Sequence, residues 1–357
     1  MHLEIPPGKG VEEYRVYTRR KLVFLVLLGC IVVALFFLGI IIGSLTLSVP
    51  EVLLTLVHPG EGNATLIVWN VRVPRVLAAL VAGAGLAAAG VVMQSVLRNP
   101  LSSPYTLGIS HAAGFGAAFA ITVLGAGTLS HNISDAVVIR NPAIITICAF
   151  AGSMIATGVL LIVARYRSSR PEVIILLGVA LAALFTAGTT FLQFFSSADQ
   201  IAAIVFWTFG DVGRATWGDL ILMSAIVLPS LGYFFWSRWD YNAVDAGDDT
   251  ARSLGVNVER SRTMGMFLGS LITAVVVAFL GIIGFIGLLG PHMVRRIVGS
   301  DHRFLFPASC LMGAIILLSA DMVARVIIAP AVLPVGVLTA FLGAPLFIYL
   351  ILGRQRA

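Results

Sequence analysis

Charge is scarce in this chain. Of its 357 residues, 11% are Asp, Glu, Lys or Arg while 59% are hydrophobic, and mean hydropathy is +1.00. Soluble globular domains carry about 25% charged residues, so this composition excludes one and points to a lipid solvent. Lysine is scarcer still. Lys9 and Lys21 are the only two, and neither lies in the G-x-x-x-x-G-K-[ST] pattern whose backbone amides and lysine cradle nucleotide phosphates. The chain therefore lacks the means to hydrolyse ATP in the usual way, and no residue in it is assigned a catalytic role. Cysteine is nearly absent as well. Cys30, Cys148 and Cys310 lie far apart in apolar runs, a pattern that fits neither a disulfide framework nor a metal site. They read as small apolar packing residues, and no metal or cofactor is expected on this chain.

Long apolar runs are abundant. A hydrocarbon core about 30 Å thick takes about 20 apolar residues per helix. Such runs centre on 22–43, 73–97, 105–125, 142–165, 171–195, 217–236, 262–282, 284–299, 304–328 and 335–352, the eighth being short. The expected fold is all-α, a polytopic bundle of about ten transmembrane helices. Residues 1–21 form an N-terminal segment, 22–353 the transmembrane domain, and 354–357 a tail. With the N-terminus inside and ten spans, most arginines gather on the inner side; Arg72, Arg75, Arg140, Arg214 and Arg325 are the exceptions. This asymmetry obeys the positive-inside rule and predicts that both termini are cytoplasmic. The formal charge of +6 then reflects topology, and a nucleic-acid partner is unnecessary. The first apolar run is a full-length span behind a basic segment, so no cleavable signal peptide is expected.

Glycine and proline mark where these spans break. Between Gly281 and Arg296 the chain reads GIIGFIGLLGPHMVRR, with Gly281, Gly284, Gly287 and Gly290 three apart and then Pro291. Glycine weakens a helix interior and proline removes a backbone donor. Broken backbone at membrane depth survives only where protein or a water-filled path satisfies it, so this segment is read as a hinge and packing element beside a route through the bilayer. A faint duplication supports this. The second span breaks at Asn99-Pro100 and a shorter helix follows from near Tyr105, and transporters are commonly built from repeats with interrupted helices. Gln94, Gln193 and His111 are polar positions as able to bond a neighbouring helix as a ligand.

Two polar regions remain. The stretch 44–71 holds a partly amphipathic segment around Val49–Val57. The longest inner loop, about 237–262, has good helix formers over Asp245–Leu254 with acids early, Arg252 late and Gly255 as a stop, the charge order that a helix dipole favours. A short surface helix follows, either a solvated connector or a docking surface for a cytosolic partner. Arg72 and Arg75 bracket Val73-Pro74, and Arg325 lies one turn after Asp321. They could snorkel to headgroups, or Arg325 could pair with Asp321; as exposed charges on the outer rim they would suit an acidic protein partner.

At this point a resemblance emerges. Arg72-Val-Pro-Arg75, Arg98-Asn-Pro-Leu101 with Pro104 and Leu107-Gly108, Ala251-Arg-Ser-Leu-Gly255, Gly284-Phe-Ile-Gly-Leu-Leu-Gly-Pro-His292, Asp301-His-Arg303, Asp321-Met-Val-Ala-Arg325, Leu333-Pro-Val-Gly336 and Gly343-Ala-Pro345 occur in this order. Together they resemble the FecCD-type permease subunit of binding-protein-dependent ABC importers for iron–siderophores, haem and vitamin B12. The resemblance implies a vitamin B12-importer-permease-like fold in a prokaryotic plasma membrane. It also implies a second permease copy, two cytosolic ATP-binding subunits that use the ATP, and an extracytoplasmic substrate-binding protein. It assigns Arg72, Arg75 and Arg325 to binding-protein docking. Asp245, Ala251, Leu254 and Gly255 go to ATPase coupling, and Asn99 and Leu101 to an inner gate with the loop near Ser168–Pro171 as companion. The fifth and tenth spans would line a large, weakly binding pathway.

Two other classes compete. An ion-coupled secondary transporter usually places ionisable residues at the membrane midplane, whereas most acids here fall in loops and Asp321 has Arg325 beside it. An intramembrane enzyme is prompted by Ser110-His111 and Gly210-Asp211, but neither dipeptide comes with a fuller motif.

Overall fold

A computed structural model describes residues 9–43, 47–60, 62–126, 141–166, 171–329 and 331–352. Among the described residues every regular element is helical. In chain order these are α1 (Lys9–Ile41), α2 (Val49–Val57) and α3 (Asn63–Thr65), which runs through a π-helical segment, Leu66–Arg72, into α4 (Val73–Val96). There follow α5 (Ile109–Thr122), α6 (Pro142–Tyr166), α7 (Pro171–Phe194), α8 (Ala198–Thr208) and α9 (Trp217–Trp236). The remainder are α10 (Arg238–Asp245), α11 (Asp248–Ser253), α12 (Val258–Leu280), α13 (Ile286–Val298), α14 (His302–Val326) and α15 (Val335–Leu352).

Each of the ten expected apolar runs meets a helix. Among the described residues seven helices are long and apolar enough to cross a membrane, and α5 and α15 are shorter apolar ones. The eighth run becomes α13, with 13 residues. The amphipathic stretch at 49–57 is α2, entered through a capping box in which Ser48 and Glu51 satisfy each other's backbone amides. The sequence reading missed α8, although Ser197 and Gln200 form the same box at its start. The fifth helix begins at Ile109 rather than near Tyr105. The extreme N-terminus, the tail and positions 168–170 of the companion loop lie outside the described residues.

The bundle is organised around α4. In the span leading through it, 78% of the most apolar window is buried, against 17% for α1 and for α7. Small residues explain this placement. A Cβ on Gly83 would strike the carbonyl of Gly313 on α14, and one on Gly90 would strike the carbonyl of Gly287 on α13. The helices therefore meet backbone to backbone, the close approach that small residues permit in membranes.

α4 and α12 end on opposite sides of the bundle, and the irregular segments that follow them come together between those ends. Facing contacts pair Gly85 with Ile272 and Val92 with Gly265, so α4 and α12 run antiparallel. The first break, 97–108, lies beside the polar loop of α10 and α11, and the second, 281–285, beside residues 207–214. At the second break the last carbonyl of α12 is taken by irregular backbone, which is itself bonded to the start of α15. Asp211 N–H donates to the carbonyl of Leu280 at 2.8 Å, and Gly336 N–H to that of Gly210 at 2.8 Å. The hinge glycines divide in role: Gly281 turns the chain at φ +77°, Gly287 and Gly290 press against α4, and Gly284 lies nearest Tyr105 of the other break. Pro291 sits inside α13 and supplies no N–H to the Gly287 carbonyl one turn back. Gln94 Nε2 donates to that oxygen instead, at 3.3 Å. Gln94 thus serves a neighbouring helix.

Candidate functional site

The polar side chains collect at two ends of the bundle. One end holds the arginines that break the charge rule. The last carbonyls of α1 have no helical donors, and two guanidiniums take their place. Arg72 Nη1 donates to Ile40 and Ile41 at 2.8 and 2.9 Å, and Arg325 Nη1 to Gly39 and Ile42 at 2.9 and 2.8 Å. Positive charge at a helix C-terminus also complements its dipole. Asp321, fully buried, lies between Arg325 at 3.0 Å and Arg75, whose Nε and Nη2 both reach Oδ1, at 2.9 and 2.8 Å. Arg75 also approaches Asp211 at 3.5 Å. The Asp211 carboxylate accepts from Gly213 N–H at 2.8 Å, and Arg214 caps α8 through the carbonyls of Phe206, Trp207 and Phe209.

These observations correct one expectation. Arg72, Arg75 and Arg325 were read as exposed, yet they are 3%, 9% and 3% accessible. The reason is non-local. Only folding reveals that α1 ends beside them with four carbonyls in need of donors. The i,i+4 pair of Asp321 and Arg325 is present as the sequence suggested. Arg140 lies outside the described residues.

The other end carries the loop of α10 and α11 and the first break. The helix expected over Asp245–Leu254 is present as α11 and begins later, at Asp248, while Asp245 belongs to a separate helix that the sequence reading did not place. Asp245 closes α10, and Gly247 at φ +126° separates it from α11. The expected stop holds: Gly255 adopts φ +83°, its N–H bonds to the Arg252 carbonyl at 3.0 Å, and Val256 N–H bonds to Ala251 at 2.9 Å. This is a Schellman motif with its usual glycine. Ala251 is buried with Ala243, Val244 and Val258, whereas Leu254 is 67% exposed. An apolar side chain is thus presented outward on a loop held rigidly from beneath.

The break after α4 uses the same motif with a different residue. Asn99 N–H bonds to Gln94 at 3.0 Å and Arg98 N–H to Ser95 at 3.0 Å. The residue at the left-handed position is Arg98, at φ +46°, where a non-glycine residue costs about 1–2 kcal/mol. Asn99 Oδ1 then accepts from Leu101 N–H at 2.8 Å, a turn that leaves Leu101 45% exposed. The two expected gate residues are thus joined in one tight turn.

Polar contacts tie this turn to the loop. Arg98 donates to Asp248 at 2.6 Å and to the Val244 carbonyl at 3.3 Å. Arg262 reaches Asp248 at 3.3 Å and the Val96 carbonyl at 3.0 Å. His302 Nε2 lies 3.1 Å from Asp245 and 2.9 Å from Ser95 Oγ. Asn242 accepts from His302 N–H at 2.8 Å and donates to Asp301 at 3.1 Å. Burial alone would raise the Asp301 carboxyl, but hydrogen bonds from the Arg303 side chain and backbone and from Asn242 hold it down at about 2. Asp211, Asp248, Arg98, Arg262, Ser95 and His302 were not singled out from the sequence as site residues. Their partners lie far along the chain, and only the left-handed Schellman position at Arg98 departs from a local rule. Among the described residues no group of three or more His, Cys, Asp or Glu could hold a metal ion.

With this geometry established, the chain can be set beside known proteins. Residues 31–353 match a family model described as the FecCD transport family. An ABC transporter permease protein of Methanocaldococcus jannaschii is 51% identical over 345 residues, covering 96% of this chain and 97% of its own length. The hemin transport system permease protein of Yersinia pestis is 35% identical over 320 residues, covering 88% and 90% respectively. A solved structure of a metal-chelate type ABC transporter, inward-facing, superposes with a TM-score of 0.78 at 30% identity and covers 92% of this chain and 98% of that one.

Proposed function

Because this chain belongs to the FecCD transport family, we propose that it is the membrane subunit of an importer that carries an iron chelate, either siderophore or haem, or cobalamin into the cytoplasm. A separate ATPase hydrolyses the ATP. The observation that carries this reading is the loop of α10 and α11. It exposes Leu254 at a glycine-terminated helix end while its other face is fixed by the gate turn at Arg98. Asp245, Ala251, Leu254 and Gly255 are the coupling residues in this proposal, and Asn99 and Leu101 belong to the gate. The loop end faces the cytoplasm together with both termini, as the distribution of arginines favours. The membrane is then the plasma membrane of a prokaryote.

The working unit would contain two copies of this chain, two ATP-binding subunits and an extracytoplasmic binding protein. The outward apolar faces of α7, with Leu184 and Phe191, and of α15, with Phe341 and Leu342, suit a second copy and a largely apolar pathway between the two. Weak, multi-site contact favours passage, since a substrate bound too tightly does not leave. Binding-protein docking would depend on Arg72, Arg75 and Arg325 through the rim they build. In that cluster Arg75, Arg325 and Arg214 face the two carboxylates of Asp211 and Asp321, with Arg72 as a further charge beside Arg325, so a positive field remains to attract acidic lobes.

The experiment is reconstituted uptake with the co-purified ATPase. Uptake should require ATP and the binding protein, and uptake driven by an ion gradient alone would overturn the reading. Charge reversal at Arg72 should weaken binding-protein association while the ATPase stays bound.

A further inference from the structure

We infer that Asp248, clasped by Arg98 and Arg262, is a positioning residue that carries displacement of the ATPase-contacting loop to the gate turn. This rests on the proposed function, and it adds a specific mechanical link within the chain.

Three observations converge on it. First, Asp248 opens α11, and both of its oxygens are engaged from elsewhere. Arg98 of the gate turn takes Oδ1 at 2.6 Å, and Arg262 of α12 takes Oδ2 at 3.3 Å. Charge-assisted contacts of this kind are short and directional. Second, Arg262 holds the Val96 carbonyl at 3.0 Å, so one guanidinium joins Asp248 to the last turn of α4. Third, Arg98 occupies a backbone position that suits glycine. Gly255 fills the equivalent place at the end of α11. A side chain kept at φ +46° against its conformational preference is one whose reach is needed, and the reach of Arg98 ends on Asp248 and the Val244 carbonyl.

A parallel strut stands beside this clasp. His302 is fully buried, and its Nε2 faces both Asp245 at the end of α10 and Ser95 in α4. Its Nδ1 is buried without a hydrogen-bond partner. With the proton on Nε2, that single N–H is shared between two acceptors, the Asp245 carboxylate and Ser95 Oγ, since a proton on Nδ1 would have no acceptor. The loop thus grips the gate helix at two points. The apolar contact beneath α11 is small, formed by Ala243, Val244, Ala251 and Val258 with Val256 packed against them, whereas α10 is anchored in the main core by Tyr241 against Phe234. Polar struts therefore set the register between α11 and the gate turn.

The test uses the full transporter in liposomes with its ATPase and binding protein, and it reads substrate moved per ATP hydrolysed. Arg98→Gly suits the backbone and removes the strut. It should leave thermal stability unchanged or higher and ATPase association intact, while the transport-to-hydrolysis ratio falls about tenfold, within the range that mutations along a coupling network produce. Asp248→Asn should lower the same ratio, and the double variant should be no worse than either single one, because both remove one link. Arg98→Lys, which keeps charge and reach, should restore much of it. A ratio unchanged in Arg98→Gly and Asp248→Asn overturns the inference, as does a parallel loss of hydrolysis and transport, which marks a merely structural role. Wild-type protein that shows no ATP-driven uptake overturns the proposed function instead, so the two failures are distinguishable.

Discussion

The two ends of this bundle are built from the same ion-pair chemistry and differ in how much water reaches it. At the arginine end Asp321 is wholly buried between Arg75 and Arg325. At the loop end Asp248 is 29% accessible and Arg98 37%. A buried pair is costly to break, because the partner left behind has no solvent to turn to. A partly wet pair exchanges its partner for water at little loss. The first end is therefore suited to fixing the ends of α1, α4 and α14 against one another, and the second to a link that sets local register while adding little to global stability.

Removing the carboxylate at the buried end gives the largest effect. Asp321→Asn should destabilise the protein by about 3–5 kcal/mol by leaving Arg325 without a counter-charge and Arg75 with only the more distant Asp211, seen as a collapse of folded yield and of thermal stability in detergent. Adding Arg75→Gln should recover part of the loss. Equal stability of wild type and Asp321→Asn would erase the contrast between the ends. An intermediate case lies in the middle of the bundle. Gln94→Leu strands the Gly287 carbonyl and should cost about 1–3 kcal/mol, and Pro291→Ala, which restores the missing N–H, should rescue it in thermal unfolding.

At the wet end Asp248→Asn should change stability by less than about 1 kcal/mol while altering the coupling ratio, so a melting curve and a transport assay would diverge there. The smallest effect concerns acid. Asp301 is held at about 2 against an ordinary 3.8, so its contribution to stability is full above pH 3.8 and is lost as pH falls toward 2. Asp301→Asn should flatten that part of the curve of stability against pH, and a curve identical to wild type would remove Asp301 from the wet network.

What the sequence revealed depended on distance along the chain. The spans, the two breaks and the stop at Gly255 are local patterns of hydropathy, glycine and proline, and they were legible. The pair of Asp321 and Arg325 was legible too, one helical turn apart. The pair of Arg75 and Asp321 was not, since 246 positions separate its members. An arginine whose acceptors are the carbonyls of a distant helix end looks exposed until that helix is placed. Gly247 lies inside the stretch expected as one helix, yet at φ +126° it divides α10 from α11. α8 was missed despite a local signal, the Ser197 and Gln200 box.

The proline of α13 has one more consequence. Most helices own all their interior hydrogen bonds and can slide along a neighbour while staying whole. Here one of those bonds is on loan from α4, because Gln94 supplies what Pro291 lacks. A shift of α13 by a single turn would leave that oxygen without a donor, the same loss of about 1–3 kcal/mol. α4 and α13 are thereby keyed together, the register of one fixing that of the other.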